Sequence, residues 1–334
     1  MAKWRFVVYE DQFHDESAHV FRQIIRQNDK YSHTTILHDV ILGHQSISLA
    51  AALKLDPSSV NVIDDCGCTP LHWAAWKNDV EAIRLLLTWK ADHGIRDLEM
   101  RTPLAIAVSG ARLECARALI DAGADVNVTD KWNWTPLFLA TREQSVELVR
   151  LLLTSGANSQ AVDDDKDTAL SSPIHASRKV DDSVLVDIYA EFANFGADMD
   201  PPNNEGRTPI MKTIRANRPS MFKALWLNGA RVDMIDAHGQ SILHLAGIYA
   251  KLKMIQQLQM TGVLIDPDLT DDQDQTAMNY FQQRINNPEF KLKGDQMKPS
   301  EQEIVAFEAL IADTRARYDE WMSKKSISSG ENSF

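Results

Sequence analysis

The sequence predicts an all-α solenoid with β-hairpin tips, a stack of helix-turn-helix repeats, and three observations carry that expectation. A Thr-Pro-Leu triplet recurs at Thr69-Pro70-Leu71, Thr102-Pro103-Leu104 and Thr135-Pro136-Leu137, in steps of 33 residues. Each triplet opens an apolar run that is followed, after a polar break, by a second apolar run. The second run usually stops at a glycine: Gly123, Gly156, Gly196, Gly229 and Gly262. Self-similarity at one fixed period of this size is the mark of a repeat architecture rather than of separate globular domains.

The register extends in both directions. Thr168-Ala169-Leu170 follows after another 33 residues, then Thr208-Pro209-Ile210 after 40, Ser241-Ile242-Leu243 after 33 and Thr276-Ala277-Met278 after 35. Upstream, Thr35-Ile36-Leu37-His38 lies 34 residues before Thr69. Eight units are expected between about residues 31 and 321.

Within a unit each element has a local cause. Thr69, Thr102, Thr135 and Thr208 are good N-caps, and Pro70, Pro103, Pro136 and Pro209 occupy the first helical position, where a missing N–H is harmless. A second helix, antiparallel to the first, is expected at 80–87, 113–120, 146–153 and 221–227. The closing glycine accepts the left-handed conformation that ends it. Polar stretches rich in Asp and Asn, such as residues 124–130, then read as an extended hairpin to the next unit. Ala74, Ala75, Ala107, Ala140 and Ala246 share one phase on the first helices and permit close approach between neighbours.

The 33-residue period with Thr69-Pro70-Leu71-His72-Trp73-Ala74-Ala75 resembles the ankyrin repeat. The resemblance spans roughly residues 31–325. It implies that the repeated His38, His72 and His244 bridge backbone groups of successive units, and that hairpin tips and first helices form a concave partner-binding face. Lys90 stands where other units place Gly, at an expected cost of about 1 kcal/mol if the left-handed turn is kept. Unit five carries extra residues, expected within 171–183, and unit eight an insertion at about 286–300. The chain therefore divides into an N-terminal segment (1–30), the array (31–285), an insertion with a C-terminal cap helix (286–322) and a disordered tail (323–334). The first segment, with apolar Trp4–Tyr9 and a helix-like 18–26, reads either as the first cap or as the remnant of a larger protein.

Composition narrows the function. The 35 Lys and Arg against 47 Asp and Glu leave a net charge of −12, which argues against bulk capture of nucleic acid or anionic lipid. The chain shows neither an apolar run near the ~20 residues a bilayer needs nor a secretory leader, so an intracellular, cytoplasmic or nuclear monomer is expected. Three cysteines, Cys66, Cys68 and Cys115, are too few for a disulfide framework. Cys66 and Cys68 lack the second ligand pair of a zinc site. Asp163-Asp164-Asp165-Lys166-Asp167 places Thr168 and Ile174 where a calcium loop needs Gly and Glu. With no phosphate loop or nucleophile elbow, the expectation is no enzyme, no metal and no cofactor.

Partner recognition is expected on the concave face. The candidate residues are Trp76, Lys77, Arg96, Arg101, Lys131, Trp132, Trp134, Arg142, Arg207, Arg215 and Tyr249, with Glu205, His238, Gln240 and Ile248 beside them. All are expected to be free of packing duty. Trp132 and Trp134 alternate and so share one side of an extended strand. With Trp76, Lys77, Arg96, Arg101, Lys131 and Arg142 they would form an aromatic and cationic patch over units two to four, and Trp and Arg are enriched at interface hot spots. The expected role is a scaffold or adaptor that binds an acidic or mixed-charge protein segment. The alternatives are a regulatory or targeting array of a larger protein and an enzyme with an unrecognised site.

Overall fold

A computed structural model describes residues 34–175, 182–286 and 298–330. The chain is an all-α repeat solenoid. Its first helices are α1 (Ile36–Leu42), α3 (Pro70–Trp76), α5 (Pro103–Ser109), α7 (Pro136–Arg142), α10 (Pro209–Arg215), α12 (Ile242–Tyr249) and α14 (Ala277–Asn286). The second helices are α2 (Leu49–Leu55), α4 (Val80–Thr88), α6 (Leu113–Asp121), α8 (Val146–Thr154), α9 (Asp182–Asn194), α11 (Pro219–Leu227) and α13 (Leu252–Thr261), and α15 (Glu301–Gly330) closes the stack. In unit five a 3-10 turn, Ala169–His175, takes the place of the first helix. The N-terminal segment 1–30, residues 176–181 of the first expected insertion and residues 287–297 of the second lie outside the described residues.

Packing follows from the sequence pattern. First helices contact one another in a row and their own second helix behind, so nearly all their side chains are buried, as in Pro70–Ala75 and Pro103–Val108. A helix apolar all round belongs in such an interior. Second helices bury one stripe, such as Ala82, Ile83 and Leu86 in α4. The phase-matched alanines, Ala74, Ala75, Ala107, Ala140 and Ala246, are fully buried. At Gly247 the approach is closer still: a Cβ there would lie 2.4 Å from the Ala277 carbonyl oxygen.

His38, His72 and His244 link successive units. Each Nδ1 accepts a backbone N–H from its own N-cap residue, at 3.1 Å from Thr35, Thr69 and Ser241. Each Nε2 then donates to a carbonyl one unit on: Cys68 at 3.0 Å, Arg101 at 3.2 Å and Gln275 at 3.1 Å. Burial pushes His72 down to about 4 and lowers His38 and His244. Lys90 keeps the left-handed turn, at φ 65°.

Three expectations need correction. The tips are not strand ladders: among the described residues the only pairings are isolated bridges, Val162 with Thr168 and Ile235 with Ser241. The backbone donors at the tips go to side-chain carboxylates instead, as described below. The closing helix does not end near residue 322 but runs on to Gly330, so residues 323–330, expected as part of a disordered tail, are helical, and of that tail only 331–334 lie outside the described residues. Its base is anchored by Phe307 stacked on Phe281, with centroids 4.1 Å apart. Of the three cysteines, which a sequence without a metal site leads one to expect as exposed or half-buried thiols, Cys66 is half-buried but Cys68 and Cys115 are buried. Burial raises all three thiols, Cys66 to about 12 and Cys115 to about 11, which keeps them protonated.

Candidate functional site

Every tip from unit two to unit eight is built on one Asp or Asn. Asp64, Asp97, Asp130, Asp163, Asn203, Asp236 and Asp271 each accept, on Oδ1, the N–H groups two and four residues on, at 2.9–3.1 Å. Such side-chain turns compete directly with strand pairing for backbone donors. Neighbouring tips are tied by single backbone bonds, Leu98 N–H to Cys66 and Lys131 N–H to Glu99 among them. Asp163 and Asp271 thus serve their own loops, and no group of three or more His, Cys, Asp or Glu among the described residues is arranged to hold a metal ion.

The tip of unit four presents two indoles. Trp132 and Trp134 are half-buried with ring centroids 5.9 Å apart, tilted by 36°. Lys131 Nζ sits 4.4 Å from the Trp132 centroid and the Arg142 guanidinium 4.9 Å from that of Trp134. A cation over an indole face is held by the ring quadrupole. Each cation also meets a carboxylate: Lys131 pairs with Glu99, and Arg142 lies 3.7 Å from Glu143.

A second cluster lies on units six and seven. Arg207 pairs with Glu205 and, through Nε, with Asp236 at 3.1 Å; Arg215 reaches Glu205 at 3.4 Å and lies 6.0 Å from the Tyr249 ring. Beside it opens a pocket of about 250 Å³, lined by Arg207, His238, Gln240, Ile248, Tyr249, Asp271, Asp272, Gln273 and Tyr280. Tyr280 Oη donates to Asp271 Oδ2 at 2.6 Å, and Gln240 donates to the same oxygen at 3.1 Å. Burial pushes the Asp271 carboxyl up, but these donors and the two loop N–H groups outweigh it and hold the group at about 2.

The expected patch over units two to four is therefore smaller than the sequence suggests. Lys131, Trp132, Trp134 and Arg142 come together; Trp76 instead stands edge-on to Trp73, at 5.6 Å, and Lys77 donates to the Leu42 carbonyl at 3.2 Å. Arg96 is exposed on the segment leading into Asp97. Arg101 is not on offer to a partner: it is 6% exposed, and Nε and Nη2 donate to Asp97 Oδ2 at 2.9 and 2.7 Å. Arg207 is buried likewise, and Ile248 is part of the core. Trp76, Trp134 and Tyr249 pack in part against that core. Side chains just before the N-cap turn inward, so position in the tip does not by itself mean exposure.

A family model described as ankyrin repeats matches in three copies, over residues 14–130 and 104–181, together half of the chain. The chain belongs to the ankyrin repeat family. Ankyrin repeat domains are protein-interaction modules and generally non-catalytic. The crystal structure of the ankyrin repeat domain of Bcl-3, a member of the IkappaB family, superposes with a TM-score of 0.58 at 23% identity, over 73% of this chain and 100% of that one. An ankyrin repeat domain from Acinetobacter baumannii AYE gives 0.52 at 25% identity, over 58% and 98%. Among curated proteins, human transient receptor potential cation channel subfamily A member 1 is 45% identical over 56 residues, and human DNA-binding protein RFXANK 32% identical over 74. These matches cover 16% and 22% of this chain, and 5% and 28% of the length of those relatives.

In this ankyrin array the residues that sequence reasoning missed are Asp271, Asp272, Gln273 and Tyr280. Repeat phase was the available signal: Asp271 aligns with Asp236, and Tyr280 with Trp73, four residues past the N-cap. Trp73 and Tyr280 do the same work, since Trp73 Nε1 donates to Asp64 Oδ2 at 2.8 Å.

Proposed function

We propose that the array is a protein-binding scaffold or adaptor whose contact centre is the Trp132–Trp134 tip, and that its partner is a mixed-charge protein segment. The observation that carries this reading is a pair of half-buried indoles on a turn, each faced by a cation. At the position of Trp132 the other tips carry Cys66, Glu99, Asp165, Glu205, His238 and Gln273, so the repeat itself has no need of an indole there. Rigid aromatic area beside cationic groups is what interface hot spots are made of. Glu99 and Glu143 stand beside Lys131 and Arg142, which favours a segment of both signs over a purely acidic one.

The test is affinity capture from native extract, with identified partners re-measured as purified proteins. Trp132→Ala combined with Trp134→Ala should weaken binding at least about tenfold, the scale of one hot spot, while circular dichroism and melting stay native. Unchanged affinity in a folded double variant rejects the reading.

The net charge of −12 supports protein over nucleic acid as partner, and the same reading makes the chain a non-catalytic, intracellular monomer without cofactor. Among the described residues no helix is long and apolar enough to cross a membrane. A second reading, a regulatory or targeting array within a larger protein, is favoured by the channel relative, in which the matching stretch is 5% of the length. The intact mass of the native polypeptide distinguishes the two.

A further inference from the structure

We infer that the pocket across units six to eight receives a lysine or arginine side chain of a protein segment lying along the tips. This rests on the reading of that face as partner-binding, and it adds a subsite and a charge order to the segment.

Size comes first. At about 250 Å³ the pocket falls below the roughly 300 Å³ at which sites begin to enclose whole small molecules, and it suits one long side chain. Its lining joins three residues with carbon surface and two acids to the polar Gln240, Gln273, His238 and Arg207. Ile248, Tyr249 and Tyr280 supply carbon surface for an aliphatic stem, while Asp272 supplies an exposed carboxylate for the head and Asp271, its oxygens already taken by four donors, adds a fixed negative charge beside it. Asp272 is exposed, and its backbone is pinned by a 3.0 Å bond from its N–H to the His238 carbonyl. Asp271 stays ionised because Tyr280, Gln240 and two backbone N–H groups point at it.

The one lining arginine does not cancel this acid. Arg207 is already matched by Asp236 and Glu205. An anion entering the pocket would meet two carboxylates and a guanidinium already matched. An uncharged side chain would strip water from the exposed Asp272 carboxylate without replacing its hydrogen bonds, at a cost. The Arg215 guanidinium, 6.0 Å from the neighbouring Tyr249 ring, is itself matched by Glu205 at 3.4 Å. A segment with a basic residue here would place its aromatic-binding and acidic part three to four units away, over Trp132, Trp134, Lys131 and Arg142.

The pocket can be tested without a partner, by methyl NMR of the full chain carrying isotope-labelled isoleucine. Nα-acetyl-arginine methylamide, Nα-acetyl-lysine methylamide and the norleucine and glutamate equivalents are titrated separately. Both cationic probes should shift the Ile248 methyl signal saturably. Asp272→Asn should weaken them about threefold, the scale of one partly exposed charge contact, and Trp132→Ala should leave them unchanged. Equal binding of the norleucine probe, tighter binding of the glutamate probe, or no saturable shift with either cation overturns the proposal. Because the probes do not touch unit four, failure here leaves the Trp132–Trp134 reading standing, and failure of that reading leaves these titrations intact.

Discussion

Asp130 and Trp134 close their tip on one another. The Asp130 N–H donates to the Trp134 carbonyl at 3.0 Å, and the Asp130 carboxylate accepts the Trp134 N–H at 2.9 Å while also accepting that of Trp132. The two indoles proposed as the contact centre are therefore set in place by Asp130.

Replacing Asp130 by Ala removes two acceptor bonds, each worth about 1 kcal/mol net, so urea unfolding should show a loss of about 2 kcal/mol. Asp130→Asn should stay within about 0.5 kcal/mol of the native chain, because Asn203 performs the same task in unit six through its own amide oxygen. A large loss with Asn would mean that charge rather than geometry holds the tip.

Stability should fall as the solution is acidified from about pH 6.5 to about 4. His72 is buried neutral and titrates near 4 when folded, against 6.5 for the free group. Its contribution is complete above the unfolded value and is lost as pH drops toward the folded one, about 3 kcal/mol in all. His38 and His244 are lowered too and act in the same direction. Asp271, at about 2 against 3.8, adds a separate loss only below about pH 4. Urea melts at pH 7.5 and 5 on the native chain and His72→Gln should show a smaller difference in the variant.

Arginines of similar appearance in the sequence should divide into two groups. Arg101→Ala and Arg207→Ala leave Asp97 and Asp236, whose side chains are 2% and 0% exposed, without their guanidinium. Losing one partner of a buried pair costs about 3 kcal/mol. Arg96→Ala and Arg215→Ala remove exposed side chains and should change stability by less than about 0.5 kcal/mol. Thermal melts of the four variants check this.

Lys90→Gly should stabilise the chain by a few tenths to about 1 kcal/mol. Lys90 sits at φ 65°, where an L side chain costs about 1–2 kcal/mol, and relief of that strain exceeds the roughly 0.5–1 kcal/mol of extra chain entropy that glycine loses. A lowered denaturation midpoint would show that the Lys90 side chain makes a compensating contact.

Much of the array was legible before any coordinates. Thr-Pro pairs announce helix starts because capping and ring geometry are local, and Gly123, Gly156, Gly196, Gly229 and Gly262 all take the positive φ that their position implies. Trp132 and Trp134 stood out as candidates because indoles on a polar turn are conspicuous. Asp271 and Tyr280 were not, because they fit the repeat phase and gain a second meaning only through what stands across from them in units six and seven.

The sequence alone determined the period, the order of the repeated elements and the caps, since all of these depend on contacts within about one unit. Tertiary structure decided which tip residues are free. Arg101 and Arg96 lie five positions apart, yet one is locked to Asp97 and the other is exposed. The division arises because a capping carboxylate keeps a second oxygen for a side chain, which comes from its own tip for Asp97 with Arg101 and from the neighbouring unit for Asp236 with Arg207. The Asp- and Asn-capped turns that stand where hairpins were expected are local, whereas stacking opens between units six and eight a pocket that no single repeat contains.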